Sequence, residues 1–184
     1  MIPSVESIVL LLQALAVPLV LVFFYLDGMV IGKFTPPAAF YVAYVALVGP
    51  TGGEVLVTAV LSTAAATLGQ FTLYRGFNEE SPEFLGIRDR LPYVDRIPFL
   101  VRERVGERRM RLVSQLFDRF GGWALAVTNA IPGIRSLMSI PAGLSNYPVR
   151  RFLVFSTIGN ALYQVALTAI AWGLVDLAVS FPWP

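Results

Sequence analysis

Five long apolar stretches alternate along the chain with short polar ones and one long charged one. Residues 7–26, SIVLLLQALAVPLVLVFFYL, carry no charge. They match the ~20 residues that a helix needs to cross the hydrocarbon core of a bilayer. Pro18 is expected to kink that helix. The run lacks a basic start and outlasts the ~7–15 apolar residues of a signal peptide, so a retained membrane helix is predicted. Residues 28–49, GMVIGKFTPPAAFYVAYVALVG, are as apolar but are interrupted by Lys33 and by Thr35-Pro36-Pro37. Two prolines remove two backbone donors, and neither half is long enough to span. Broken backbone is tolerated at membrane depth where it is buried in protein or lines a wet cavity. The stretch is therefore predicted to be a re-entrant hairpin that turns at the prolines and leaves on the side it entered.

Residues 54–74, EVLVTAVLSTAAATLGQFTLY, are dominated by Ala, Ser and Thr, with Gly69 among them. Small residues let helices approach closely in lipid, which predicts a spanning helix packed against others. Residues 122–147, GWALAVTNAIPGIRSLMSIPAGLSNY, repeat the logic of 28–49: two apolar halves with Pro132-Gly133 between them. Thr128, Asn129, Arg135, Ser136 and Ser139 surround that break. Residues 152–175, FLVFSTIGNALYQVALTAIAWGLV, can span. The expected architecture is an all-α integral membrane protein. It has three spanning helices and two opposed re-entrant helical hairpins, whose tips at Pro36-Pro37 and Pro132-Gly133 meet near the bilayer middle. Paired interrupted segments point to the binding site of a transporter.

Residues 75–121 differ in kind, holding 10 of the 14 basic residues and 8 of the 12 acidic ones. The first part, NEESPEFLGIRDRLPYVDRIP, reads as a loop. In VGERRMRLVSQLFDRFGG the apolar residues Val105, Leu112, Val113, Leu116, Phe117 and Phe120 recur at helical spacing opposite Arg and Glu. That predicts an amphipathic helix on the membrane surface or against the bundle. The interleaved acids argue for a solvated face rather than for nucleic acid. If the two broken segments are hairpins, residues 1–6, 75–121 and 147–151 share one side, which then carries 12 of the 14 basic residues. Basic loops stay in the cytoplasm. The expected placement is a multi-pass cell-membrane protein with its N-terminus and the 75–121 region inside and its C-terminus outside.

Composition agrees with the pattern. Hydrophobic residues make up 56% of the 184, and only 14% are charged, against the ~25% usual in soluble domains. There is no Cys and no His. Disulfides, thiolate nucleophiles and the commonest general base and metal ligand are thereby absent. An Asp nucleophile at Asp27 has no visible general acid beside it. No enzyme, no metal site and no cofactor is expected.

The chemistry gathers at Arg135. A cation near the bilayer middle costs roughly 2.5–3.5 kcal/mol even on the lenient insertion scale. One reading offsets this with a phosphate headgroup. A guanidinium forks onto phosphate oxygens, and backbone N–H groups at the start of the following half-helix favour an anion. The other reading pairs Arg135 with Asp27, or with carbonyls at the broken turn, and makes it a lock for the bundle. Asn129 either binds phosphate or caps the turn. Asp27 is an interfacial polar end or a proton site whose pKa burial would raise. Lys33 contacts a headgroup or snorkels to the surface. The candidate substrate-binding set is Arg135, Asn129, Pro132, Gly133, Ser136 and Thr35, with Asp27 as the proton-coupling candidate.

The stretch FGGWALAVTNAIPGIRSLMSIPAGLSNYPVRRFLVFSTIGNALYQ resembles the DedA family, a branch of the VTT (SNARE-associated Golgi) proteins. Pro132, Gly133 and Arg135 match its Pro-Gly-x-Arg turn, and Ala142-Gly143 match the small-residue element that follows. Pro148, Phe152 and Gly159 match the next helix, and TLGQFTLYRGF is similar to a further, degraded element. The likeness is good over about 45 residues and extends by segment order to a single DedA/VTT-like domain over 1–184. The family's first turn arginine falls on Asn129. Asp27 is the candidate for its first acid, and Thr35-Pro36-Pro37-Ala38-Ala39 stands where the second acid would be.

The resemblance implies lipid transport: a flippase or scramblase for phosphate-headgroup lipids such as polyprenyl phosphate or phospholipid. Protons are a candidate co-substrate and a homo-oligomer a candidate assembly. The missing second acid favours an uncoupled scramblase. Two other readings stay open. One is a proton-coupled or passive small-anion transporter of the same fold. The other is a non-transporting membrane scaffold whose Arg-rich loop recruits a partner.

Overall fold

Pro36-Pro37, expected at a hairpin tip, start a helix, and the residues just before them lie outside the described ones. Pro36 sits at the N-cap with extended backbone, and Pro37 is the first helical residue. A helix's first turn has N–H groups without intrahelical partners, so prolines there forfeit nothing. In this computed structural model the described residues are 5–30, 36–78, 115, 116, 119–132 and 134–180, and among them there is no strand. Lys33, Thr35, Gly133, the charged stretch 79–114 and most of the expected amphipathic helix lie outside the described residues.

Among the described residues the α-helices in chain order include α1 (Val5–Gly28), α2 (Pro37–Ala43), α3 (Gly52–Phe77), α4 (Gly122–Ala130), α5 (Ser139–Leu144) and α6 (Val149–Ser180). α1 continues through Pro18 for 24 residues. α2 passes into a π-helical turn, Tyr44–Val48, which stops at Gly49 in the left-handed conformation with φ 61°. Together they rise about 18 Å, roughly half the thickness of a bilayer core. α3 starts two residues before the apolar run, because Thr51 and Glu54 cap it. Thr51 N–H and Oγ1 donate to Glu54 Oε2 at 2.7 and 2.9 Å, and Glu54 N–H donates back to Thr51 Oγ1 at 3.4 Å. This is a capping box that uses Thr. Arg75 lies in the last turn of α3, where a cation complements the helix dipole.

Gly52–Phe77 and Val149–Asp176 are long and apolar enough to cross a membrane. Their exposed faces are apolar as well: Leu56 is 65% exposed, Val60 60%, Leu162 56% and Val165 69%. Apolar patches of this extent mark surfaces meant for something other than water.

The chain divides into two compact units, Met1–Gly69 with Ala161–Pro184, and Gln70–Asn160. The first has a core of Val20, Phe24, Tyr41, Tyr44, Val45, Val55, Ala66, Tyr163, Leu167 and Ala171. Phe24 and Tyr41 meet edge to face at 6.3 Å. The two buried tyrosines find hydroxyl partners: Tyr41 Oη bonds Thr168 Oγ1 at 2.9 Å, and Tyr44 Oη accepts from Thr58 Oγ1 at 3.4 Å. In lipid, apolar side chains gain little by leaving their surroundings. Packing and such hydrogen bonds therefore hold the helices together.

In the second unit α4 and α5 flank a run of tight turns, in the place of the second predicted break. Arg135 N–H bonds Ile131 O, Leu137 N–H bonds Ile134 O and Ser139 N–H bonds Ser136 O, at 3.1 to 3.3 Å. The two ends of 122–147 come together. A Cβ on Gly122 would lie 2.5 Å from Tyr147 Oη and against the Phe155 ring. Tyr74 Oη donates to the Tyr147 carbonyl at 2.5 Å, and the Tyr74 and Phe152 rings stack at 4.4 Å.

Candidate functional site

Arg135 is 7% exposed, and its Nη2 donates to Asn160 Oδ1 at 3.2 Å. Around it lie Asn129, Ser136, Gln70 and Asn160, each at most 1% exposed. Four separate elements supply them. Gln70 comes from α3, Asn129 from the last turn of α4, Arg135 and Ser136 from the tight turns, and Asn160 from α6. Two close contacts bring these elements in. Gly159 sits against the Ala126 carbonyl and Asn129 Cβ, so α4 rests directly on α6. Gly143 sits against the Tyr74 carbonyl, which brings α5 onto the end of α3. Both glycines belong to the motifs that carried the family resemblance, and their role here is close approach of backbones.

Gln70 and Asn129 exchange amide hydrogen bonds: Asn129 Nδ2 donates to Gln70 Oε1 at 3.2 Å, and Gln70 Nε2 donates to Asn129 Oδ1 at 3.1 Å. Asn160 Nδ2 donates to the same Gln70 Oε1 at 3.0 Å. Gln70 Nε2 also faces Ser136 Oγ at 3.3 Å and Asn160 Oδ1 at 3.4 Å. Ser136 has φ 71°, a left-handed conformation that costs a non-glycine residue ~1–3 kcal/mol. Its N–H donates to Asn129 Oδ1 at 3.2 Å. The strain and that bond belong together, since Asn129 Oδ1 is an acceptor for the turned-over N–H. Apart from Arg135, the cluster consists of neutral amides and a hydroxyl, which change no charge over the physiological pH range.

Of the expected site residues, Asn129, Arg135 and Ser136 are brought together. Pro132 is exposed at the turn. Thr35 and Gly133 lie outside the described residues. Asp27 is in the first unit, in the last turn of α1 and half-buried, its carbonyl accepting from Val30 N–H at 3.0 Å. Gln70 and Asn160 are additions that sequence reasoning missed. Each is an amide in a long apolar run, and each follows a glycine. Spacing carries the signal: Thr58, Ser62, Ala66 and Gln70 recur every fourth residue along α3, all at most 2% exposed. Ser156, Asn160 and Gln164 do the same along α6. A small or polar residue at every fourth position of a membrane helix marks its buried face.

The VTT domain family matches residues 35–172, three quarters of the chain and all of the cluster around Arg135. Among curated proteins the chain is similar to undecaprenyl phosphate transporter A of Staphylococcus aureus, 26% identical over 123 residues, covering 67% of this chain and 57% of the relative. It is also similar to alkaline phosphatase-like proteins of Lactococcus lactis subsp. cremoris and subsp. lactis, 30% and 31% identical over 124 residues, each covering 64% of this chain and 52% of the relative. The chain thus spans about half the length of the curated relatives it matches. No solved structure matches it. With an all-helical described fold, two long apolar helices and a family match over most of its length, this membrane protein belongs to the VTT domain family, also known as DedA.

Proposed function

We propose that the protein moves phosphate-headgroup lipids between the leaflets of the membrane, as a flippase or scramblase, with Arg135 as the headgroup contact. The observation that carries this reading is a buried guanidinium beside a broken helix, held by the neutral amide of Asn160. A buried guanidinium is suited to an anion, and to phosphate oxygens in particular. The printed activity of the Staphylococcus relative, transport of undecaprenyl phosphate, supports the same substrate class. Asn129 and Ser136, with Pro132 and Gly133 at the second break, complete the proposed binding set.

In this reading the chain is a single DedA-like domain. α1, α3 and α6 span, and the segments around Pro36-Pro37 and Pro132-Gly133 are re-entrant. The Arg-rich region and N-terminus are cytoplasmic and the C-terminus is outside. The meeting of Gly122 with Tyr147 supports an in-and-out path for 122–147. The lipid tails stay in the bilayer while the headgroup passes the polar cluster. Asp27 is the group through which protons would couple, and a homo-oligomer is the assembly in which the domain would act. Phosphatase chemistry, which the Lactococcus names would suggest, gains no support from a sequence without His or Cys.

The test is lipid movement in proteoliposomes that contain labelled polyprenyl phosphate or labelled phospholipid, with inorganic phosphate uptake measured alongside. Movement of either lipid supports the proposal. Phosphate uptake without lipid movement replaces it with the small-anion reading, and neither activity leaves the scaffold reading. Replacing Asp27 by Asn should leave lipid movement intact but abolish its response to a pH gradient. An unchanged response removes Asp27 from the coupling.

A further inference from the structure

We propose that Gln70 is a positioning residue for Arg135, acting by fixing which end of the Asn160 amide faces the guanidinium; this rests on the headgroup reading above. Gln70 is fully buried on α3 and bonds Asn129, Ser136 and Asn160. Its role follows from the two ends of a side-chain amide. Asn160 presents Oδ1 to Arg135 Nη2 at 3.2 Å, an acceptor to a donor. The reverse orientation would set Nδ2, a donor, against a cationic donor. The amide's shape does not choose between the two, because the ends are nearly identical in size. The choice is made by what the other end touches. Here that is Gln70 Oε1, which accepts from Asn160 Nδ2 at 3.0 Å. Gln70 Oε1 is in turn fixed by Asn129 Nδ2 at 3.2 Å, and Gln70 Nε2 by Asn129 Oδ1 at 3.1 Å. Asn129 Oδ1 also accepts the N–H of Ser136, the residue after Arg135. One side chain thus ties the guanidinium's partner and the backbone beside it to the same helix.

Replacing Gln70 by Met keeps length and apolar volume and removes both polar ends. Asn160 then loses the bond that sets its orientation, and Arg135 loses a fixed partner. Two readouts on the purified chain in detergent follow this. The first is the rate at which phenylglyoxal modifies Arg135, read by peptide mass spectrometry, which does not depend on transport. The second is the affinity for farnesyl phosphate, a short polyprenyl phosphate. Gln70→Met is expected to speed modification of Arg135 severalfold and to weaken farnesyl phosphate binding ~10-fold, the size expected for breaking a buried hydrogen-bonded network. Asn160→Leu should do the same. The double variant should be no worse than either alone, because both act through one contact. Gln70→Glu retains the acceptor toward Asn160 and serves as the second variant, with modification of Arg135 expected near the wild-type rate. Measurement of unfolding temperature in the same detergent separates local release of Arg135 from loss of the fold.

An Arg135 rate unchanged by Gln70→Met, or effects of Gln70→Met and Asn160→Leu that multiply, overturns the proposal. If the wild type fails to bind farnesyl phosphate while the modification rates still respond without adding, the positioning role stands and the headgroup reading falls.

Discussion

The two broken segments share an outline and differ in what fills them. In 36–49 the chain leaves a proline pair, makes a short helix with a π-helical turn, and buries Tyr41, Tyr44 and Val45 in an apolar core. Its polar atoms are tyrosine hydroxyls, each matched to one threonine. In 122–147 two short helices flank a string of tight turns, and the interior holds Asn129, Arg135 and Ser136, tied to Gln70 and Asn160. A broken helix alone therefore does not create a binding site. Freed backbone groups can be satisfied locally, as at the proline pair. A cation and a strained serine persist at the second break because partners from three helices hold them. Polar clusters in apolar helices are expensive to build, and this chain builds one in the second unit.

That contrast can be broken most directly at its centre. Arg135→Ala should reduce lipid movement in proteoliposomes by ~10- to 150-fold, the loss of a charge-assisted hydrogen bond worth roughly 1.5–3 kcal/mol. Wild-type rates in this variant would make the second break as inert as the first. Gly159→Ala comes next. Its methyl would meet the Ala126 carbonyl and Asn129 Cβ, so the end of α4 must shift, at about 1–3 kcal/mol of stability. A lowered unfolding temperature together with weakened lipid movement is expected. Unchanged values would mean that α4 and α6 leave room for a methyl group between them. The smallest effect belongs to the first segment. Tyr41→Phe removes one hydroxyl bond to Thr168 and should cost about 1 kcal/mol, visible as a modest fall in unfolding temperature. The rate of lipid movement should not change, and a large fall in rate would show that the two segments share the chemistry after all.

Much of this contrast is legible in the sequence. Pro-Gly in an apolar run and a single arginine beside it are signals carried by individual residues, so the break at 132 and the burial of Arg135 could both be read. The proline pair marks a break, but a proline at the first helical position and one in a loop look alike in a string, so the start of α2 at Pro37 is not legible there. Helix ends drifted for a different reason. Apolar content stops at 54 and 74, whereas the hydrogen-bond ladder of α3 runs from Gly52 to Phe77 with help from the Thr51–Glu54 cap and Arg75. Gln70 and Asn160 are hidden by averaging, each an amide in a run that is apolar as a whole. Their partners come from distant parts of the chain, 59 and 90 positions away from Gln70 for Asn129 and Asn160. No local pattern encodes that meeting.

The meeting of Gly122 with Tyr147 has a consequence for how such a chain can vary. A segment whose two ends touch is a cassette: it can be lengthened, rewritten or exchanged as a block while the helices it rests on keep their spacing. Arg135, Ser136 and Asn129 all travel inside that block, whereas Gln70 and Asn160 stay behind on the frame. A graft of 122–147 onto another VTT domain would thus carry the charge but not the amides that aim it. It should work only in a host whose own helices offer a glutamine and an asparagine at the matching heights.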